Sequence, residues 1–211
     1  MKIVLIDHGV GNLRSVEKAL AAVGGEIQIT ADPRGVAKAE KIVLPGVGAF
    51  ADAMMGMKDR GLIEPVLNAV REGTPLLGIC VGMQMLFDSS EEHGHHPGLG
   101  LLPGSAVRFR DPDLTIPQTG WNQIHPTRPD PLLENLDQNS YAYFNHTYYC
   151  APDRSEDILA STQYGVSYAS VVQRDNLYGV QFHPEKSQGV GLAVLKNFVH
   201  LVKDKKGVSD E

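Results

Sequence analysis

One cysteine sits in a setting suited to covalent chemistry. Cys80 stands in Gly78-Ile79-Cys80-Val81-Gly82, after the apolar pair Leu76-Leu77 and before Met83-Gln84-Met85-Leu86-Phe87. Small residues on either side of a nucleophile let the chain turn sharply from strand to helix and expose the side chain. A helix predicted over the Met83–Phe87 run points its positive end at the sulfur, which would lower the thiol pKa and favour the thiolate. The N–H of Val81 would face an oxyanion formed beside Cys80. Taken alone, the pentapeptide also fits a cysteine that is simply a small buried apolar residue.

Two further segments favour the first reading. Tyr178-Gly179-Val180-Gln181-Phe182-His183-Pro184-Glu185 places a base and a carboxylate two apart at a strand end. Residues i and i+2 of an extended chain face one side, and Pro184 restrains His183 to extended backbone. Glu185 can then orient the imidazole while His183 addresses the thiol, the logic of a Cys-His-acid triad. By themselves these two residues are equally a surface pair or part of a metal site, but no third ligand has convincing spacing. Pro45-Gly46-Val47-Gly48-Ala49-Phe50-Ala51 follows an apolar run and opens a helical stretch. Gly46-x-Gly48-x-x-Ala51 matches the dinucleotide fingerprint as text. The acidic residue that fingerprint needs about 20 positions on, at a strand end, would fall within a helical stretch. A turn whose N–H groups face an oxyanion is the better reading.

The elements that must position these residues follow from hydrophobic pattern. Short apolar runs at 3–6, 27–30, 42–44 and 76–79 alternate with helical patterns at 13–23, with Asn12 as N-cap, and at 62–71, with Pro65 in the first turn. That alternation predicts an α/β fold: three layers, a mostly parallel central sheet flanked by helices. The second half is richer in aromatic and β-branched residues. Strands are expected at 141–144, 170–174 and 177–182, with Asp175-Asn176 as a hairpin turn, giving a smaller antiparallel portion. A closing helix is expected near 192–202. No repeat, linker or composition break divides residues 1–211, so one domain is expected.

Bulk composition narrows the function. The chain of 211 residues has 42% apolar and 21% charged residues and a formal charge of −6, which argues against a general affinity for nucleic acid or anionic membrane. The basic cluster Lys203-Asp204-Lys205-Lys206 reads as a solvated tail. No segment has the apolar length needed to cross a bilayer. The N-terminus meets its first charge too early for a secretory signal. Cys80 and Cys150 are expected as free thiols in a reducing cytoplasm.

The three segments together resemble the class I, triad-type glutamine amidotransferases. Asp7-x-Gly9-x-Gly11-Asn12-Leu13, Pro45-Gly46-Val47-Gly48-Ala49-Phe50, Gly120-Trp121-Asn122, Tyr143-Phe144-Asn145-His146-Thr147-Tyr148 and His183-Pro184-Glu185-Lys186-Ser187 narrow the resemblance to the glutaminase subunits of imidazole glycerol phosphate synthase. It runs from the first strand to the last helix.

The resemblance implies that Cys80 attacks the carboxamide of glutamine and that His183, oriented by Glu185, protonates the departing ammonia. Water then hydrolyses the thioester, with no cofactor or metal. Val47, Gly48 and Val81 would supply oxyanion N–H groups, each such donor being worth about 3 kcal/mol of barrier. Gly46, Gln84, Thr147 and Tyr148 fall where the family grips substrate. Ammonia would pass to a (β/α)8-barrel synthase subunit that makes imidazole glycerol phosphate and aminoimidazole carboxamide ribotide. Asn12, Trp121, Tyr143 and Lys186 match the docking face. An exposed Trp121 would be a hot-spot anchor; a core Trp121 is the competing reading.

The chain departs from the family at two places. Pro117-Gln118-Thr119 stands where Pro-His-Met is usual, and Asn145 stands where Val is common. Both fall near the glutamine site or docking face and bear on partner and regulation more than on hydrolysis. A paralogous glutaminase feeding another acceptor, and a non-enzymatic α/β binding module, are the alternatives. Glu91-Glu92-His93-Gly94-His95-His96 could attract a metal but reads as a polar surface loop after the nucleophile helix. Asp111-Pro112-Asp113 reads as a turn, and Cys150 as a buried strand residue.

Overall fold

The computed structural model describes residues 2–201. The 203–206 basic cluster, and residue 202 at the expected end of the last helix, lie outside the described residues. In chain order the first half comprises β1 (Lys2–Ile6), α1 (Leu13–Ala22), β2 (Glu26–Thr30), α2 (Pro33–Val36), β3 (Lys41–Leu44), α3 (Phe50–Asp59), α4 (Ile63–Arg71) and β4 (Leu76–Ile79). After Cys80 come the single turn α5 (Val81–Gln84), then β5 (Phe87–Ser90), β6 (His96–Pro97), β7 (Leu102–Arg108), β8 (Gln118–Gln123) and β9 (His125–Pro126). The last third holds β10 (Tyr141–His146), β11 (Tyr148–Pro152), β12 (Ile158–Tyr164), β13 (Val166–Arg174), β14 (Leu177–Val180), a 3-10 turn (Pro184–Lys186) and α6 (Gln188–His200).

Strands β2-β1-β3-β4-β14 run parallel, and the sheet continues through β13, β11 and β7 with antiparallel neighbours before β5 and β6 close the edge. This is the α/β architecture expected, with flanking helices and the antiparallel portion in the second half. The inner strands β3, β4 and β14 are buried at every residue, as a parallel sheet covered on both faces requires. Fully burying one such Ile or Leu contributes about 1.5–3 kcal/mol. Helix α1 buries Val16, Ala19 and Leu20, and α4 buries Val66, Ala69 and Val70, the i, i+3, i+4 stripe of a surface helix.

Several local expectations need correction. Asn12 precedes α1 but its side chain makes no capping hydrogen bond. The strand expected at 177–182 ends at Val180, and the closing helix begins at Gln188. The Met83–Phe87 run is helical only at its start: α5 ends at Gln84 and Phe87 opens β5. A longer helix would need the carbonyls of Met85 and Leu86, and these accept instead from Leu99 N at 2.8 Å and from Leu101 and Leu102 N at 2.9 Å.

Lys41 is buried inside the apolar core, at 1% exposure. Its Nζ donates to Phe198 O at 2.8 Å and Val199 O at 2.5 Å, placing a cation at the C-terminal end of α6, where the helix dipole favours it. Burial pulls its pKa down from 10.5 to about 8. The unfolded chain therefore holds the extra proton between those values, so this residue's contribution to stability rises with pH across that interval. Denaturant titrations of the wild type and Lys41→Met at pH 7.5 and pH 10 should show the wild type gaining on the variant by on the order of 1–2 kcal/mol at the higher pH.

Candidate active site

Cys80 leaves the C-terminal end of β4 with φ 54° and ψ −110°, a conformation that costs a non-glycine residue about 1–3 kcal/mol. Its N–H donates to Val180 O at 2.8 Å, which pins the turn to β14. The glycine spacing read from the sequence has a steric origin. A Cβ on Gly82 would stand 1.8 Å from Leu44 O, and one on Gly46 would stand 2.7 Å from Gly82 N. The nucleophile turn and the loop after β3 therefore lie backbone against backbone. Val81 is the first residue of α5, so its N–H has no acceptor within the helix.

His183 follows β14 and is 3% exposed. Its Nδ1 lies 3.0 Å from Glu185 Oε1, and its ring lines the same pocket as Cys80. His183 is extended, as expected before Pro184, but the chain then enters the 3-10 turn Pro184–Lys186, so the pair meets across a turn and not along a continuous extended chain. Burial alone would pull His183 down. The Cys80 and Glu185 side chains beside the ring overcome it and push the pKa up to about 10. The site therefore holds an imidazolium between a sulfur and a carboxylate at neutral pH.

A pocket of about 410 Å³ opens over this centre. Cys80, Val81, His183, Val47, Gly48, Gln84, Thr147 and Tyr148 line it, as do Asn12 and Lys186 from the expected docking face. Gly46 does not; it is packed behind the pocket against Val81 and Gly82. Trp121 is 46% exposed, which removes the core reading. Its ring meets Tyr143 edge-on at 6.2 Å, and Lys186 Nζ sits 5.7 Å from the Tyr143 ring centroid.

Other contributors had no assigned role in the sequence reading. Gln181 Nε2 points at Cys80 Sγ at 3.7 Å, while its Oε1 accepts from Gln84 Nε2 at 3.3 Å. Ser187 Oγ donates to His183 O at 2.6 Å and accepts from Tyr143 N at 2.9 Å. His146 lines the pocket, bonds Tyr148 O through Nδ1 at 2.8 Å, and is pulled down to about 4 by burial, so it stays neutral. Glu92 is no bystander on a surface loop: it lines the pocket and its Oε2 accepts from Phe50 N at 2.6 Å, at the start of α3. Glu91 is likewise engaged, with Arg108 N and Arg110. Among the described residues no group of three or more His, Cys, Asp or Glu could hold a metal.

Residues 4–202 match the model of the class-I glutamine amidotransferase family. The chain belongs to that family, in its HisH group. It is 50% identical over 203 residues to the imidazole glycerol phosphate synthase subunit HisH of Salinibacter ruber, covering 93% of each chain. The HisH subunit of Gloeobacter violaceus is 51% identical, covering 93% of this chain and 88% of that one. Among solved structures, a glutamine amidotransferase crystal structure superposes with a TM-score of 0.74 at 18% identity, over 94% of this chain and 99% of that one. In this class-I amidotransferase, a raised His183 pKa requires a charged Glu185. Glu185→Gln keeps an acceptor and removes the charge, so the His183 pKa should fall by at least one unit in an NMR titration of the imidazole. The His183 contribution to stability, complete below pH 6.5 and lost as pH rises through about 10, should shrink with it.

Proposed function

We propose that this chain is the glutaminase subunit of an imidazole glycerol phosphate synthase, with Cys80, His183 and Glu185 carrying the chemistry. The observation that supports this most directly is that Cys80 and His183 line one pocket while Glu185 Oε1 holds His183 Nδ1 at 3.0 Å. Glutamine enters the pocket with its carboxamide over Cys80. The sulfur attacks the amide carbon, the C–N bond breaks, and His183 gives its proton to the leaving nitrogen, releasing ammonia. Water then attacks the thioester, with His183 taking its proton. The carbon–sulfur bond breaks and glutamate leaves. Glu185 holds the imidazole in register throughout and stabilises its cationic form.

The N–H groups of Val47, Gly48 and Val81 are read as the oxyanion donors, and Gln84, Thr147 and Tyr148 as substrate contacts; Gly46, expected as a substrate contact, does not line the pocket. Gly46 acts from behind, through its close packing on the nucleophile turn. The ammonia acceptor belongs to a partner subunit, for which a (β/α)8-barrel synthase in the cytoplasm is proposed. Asn12 and Lys186 at the pocket mouth, continuous with the exposed Trp121–Tyr143 pair, support docking over the pocket itself. Released ammonia would then leave toward the partner and not into solvent.

Two measurements test the reading. Cys80→Ala should reduce glutamine-dependent synthesis by the two-subunit complex at least 10³-fold while leaving synthesis from ammonium salts intact; retained glutamine-dependent synthesis overturns the reading. Glutamate release by the chain alone should be slow and should rise markedly when the ligand-bound synthase subunit is added. Equal turnover with and without the partner would argue against a subunit whose hydrolysis is tied to an acceptor.

A further inference from the structure

The loop carrying the proposed oxyanion donors cannot aim them by its own sterics. Val47 lies between two glycines, and Gly48 adopts φ 84° with open space where a Cβ would be. Something outside the loop must set its orientation. His8, just beyond the end of β1, touches the segment 45–56 at two points. Its Nε2 lies 2.6 Å from Pro45 O, at the head of the loop. A carbonyl oxygen only accepts, so Nε2 carries the ring proton and donates it. The main-chain oxygen of His8 abuts α3, where a Cβ on Gly56 would stand 1.9 Å away. The segment containing Gly46, Val47 and Gly48 is thus strung between two contacts with one residue.

The His8 ring is 1% exposed, and its Nδ1 is a buried nitrogen with no hydrogen-bond partner. Leaving such an atom unpaired costs about 1–3 kcal/mol, a cost that a Phe or Leu filling the same space would not incur. Packing alone therefore does not account for a histidine here; the bond to Pro45 does. Burial also pulls the ring's pKa down, and Arg60 adds to that; the bond to Pro45 and the charge of Asp7 oppose it without reversing the shift. The neutral form, with one proton available for Pro45, prevails.

Building on the glutaminase reading above, we propose that His8 is a positioning residue that aims the N–H groups of the 46–48 loop at the reacting carbonyl. The hydrogen bond to Pro45 O fixes the plane of the Pro45–Gly46 peptide, and the following N–H directions descend from that plane. Asn12, four residues after His8, lines the pocket. The β1–α1 turn therefore joins the pocket mouth to the loop through a single short stretch of chain.

Three variants separate the hydrogen bond from packing. In His8→Phe the ring shape is kept and the donor is lost. A Gln amide nitrogen falls near the position of Nε2, whereas an Asn amide nitrogen falls near that of Nδ1. In the complex with its synthase subunit, His8→Phe and His8→Asn should lose about 10–100-fold in kcat for glutamine hydrolysis, short of removing an oxyanion donor outright. KM should stay within about threefold, and His8→Gln should recover most of kcat. Alkylation of Cys80 by iodoacetamide needs no oxyanion donor, so its rate should be unchanged in all three. The proposal is overturned if His8→Phe keeps kcat within twofold, if Gln and Asn lose activity equally, or if alkylation falls in step with kcat. Failure of the glutaminase reading would look different: glutamine-dependent turnover would survive in Cys80→Ala, whatever the His8 variants did.

Discussion

Three adjacent parallel strands, β3, β4 and β14, end at the same edge of the sheet, and the segments leaving them must pass within backbone contact of one another. The carbonyl of Leu44 fills the space where Gly82 would carry a Cβ, the amide of Gly82 sits where a Cβ on Gly46 would press, and Cys80 N is bonded to Val180 O. At these contacts backbone meets backbone, and the close approach brings the loop and the nucleophile turn together. The positive φ of Cys80 is tolerated because β4, β14 and α5 determine the backbone on both sides of it.

That crowding also shapes the electrostatics. Burying an imidazolium is unfavourable unless neighbouring groups favour the charge, and His183 has the Cys80 side chain and the Glu185 carboxylate raising its pKa. His146, close by and almost as buried, has only the carbonyl of Tyr148 and the hydroxyl of Tyr168 as partners, and burial wins there. Two histidines in one pocket wall therefore take opposite protonation states, which leaves a single proton carrier beside the sulfur. Lys41 shows the same competition for an amine held by carbonyls alone, again with the pKa pulled down.

Much of this was legible in the chain because the signals are local. Continuous apolar runs mark β1, β3 and β4, and the glycines around Cys80 mark a turn that needs close approach. What was not legible depends on contacts distant in sequence. The Met83–Phe87 run has a helical pattern, yet the carbonyls of Met85, Leu86 and Phe87 are taken by residues 99–102, and the helix stops at Gln84 where propensity would extend it. The expected long helix dipole behind the sulfur is thus reduced to one turn, and His183 supplies the positive charge instead. Glu92 reaches Phe50 across 42 positions, Gln181 reaches Cys80 across 101, and His8 reaches Pro45 across 37; no spacing rule links such pairs. His183 and Glu185 were paired correctly because two residues of separation brings them together in either an extended chain or a 3-10 turn.

The positions where the chain departs from the family pattern answer one another in space. Thr119 and Asn145 lie directly opposite on β8 and β10, and Thr119 Oγ1 is 3.2 Å from Asn145 Oδ1. Gln118, pointing inward, is buried and accepts from Tyr168 OH at 2.9 Å. The two departures thus meet in one two-stranded ribbon, and the ribbon's exposed face also carries Trp121 and Tyr143. That ribbon is not independent of the chemistry. His183 N donates to Tyr143 O at 2.9 Å, and Ser187 Oγ closes the ring by bonding both Tyr143 N and His183 O. A force applied to the exposed face of β10 is felt by the main chain of His183 through three hydrogen bonds, whereas Cys80 is held on β4. His183 is thus held from two sides, by β10 through these bonds and by β14 through the chain, and it is β14 that also holds the Cys80 turn, through Val180 O.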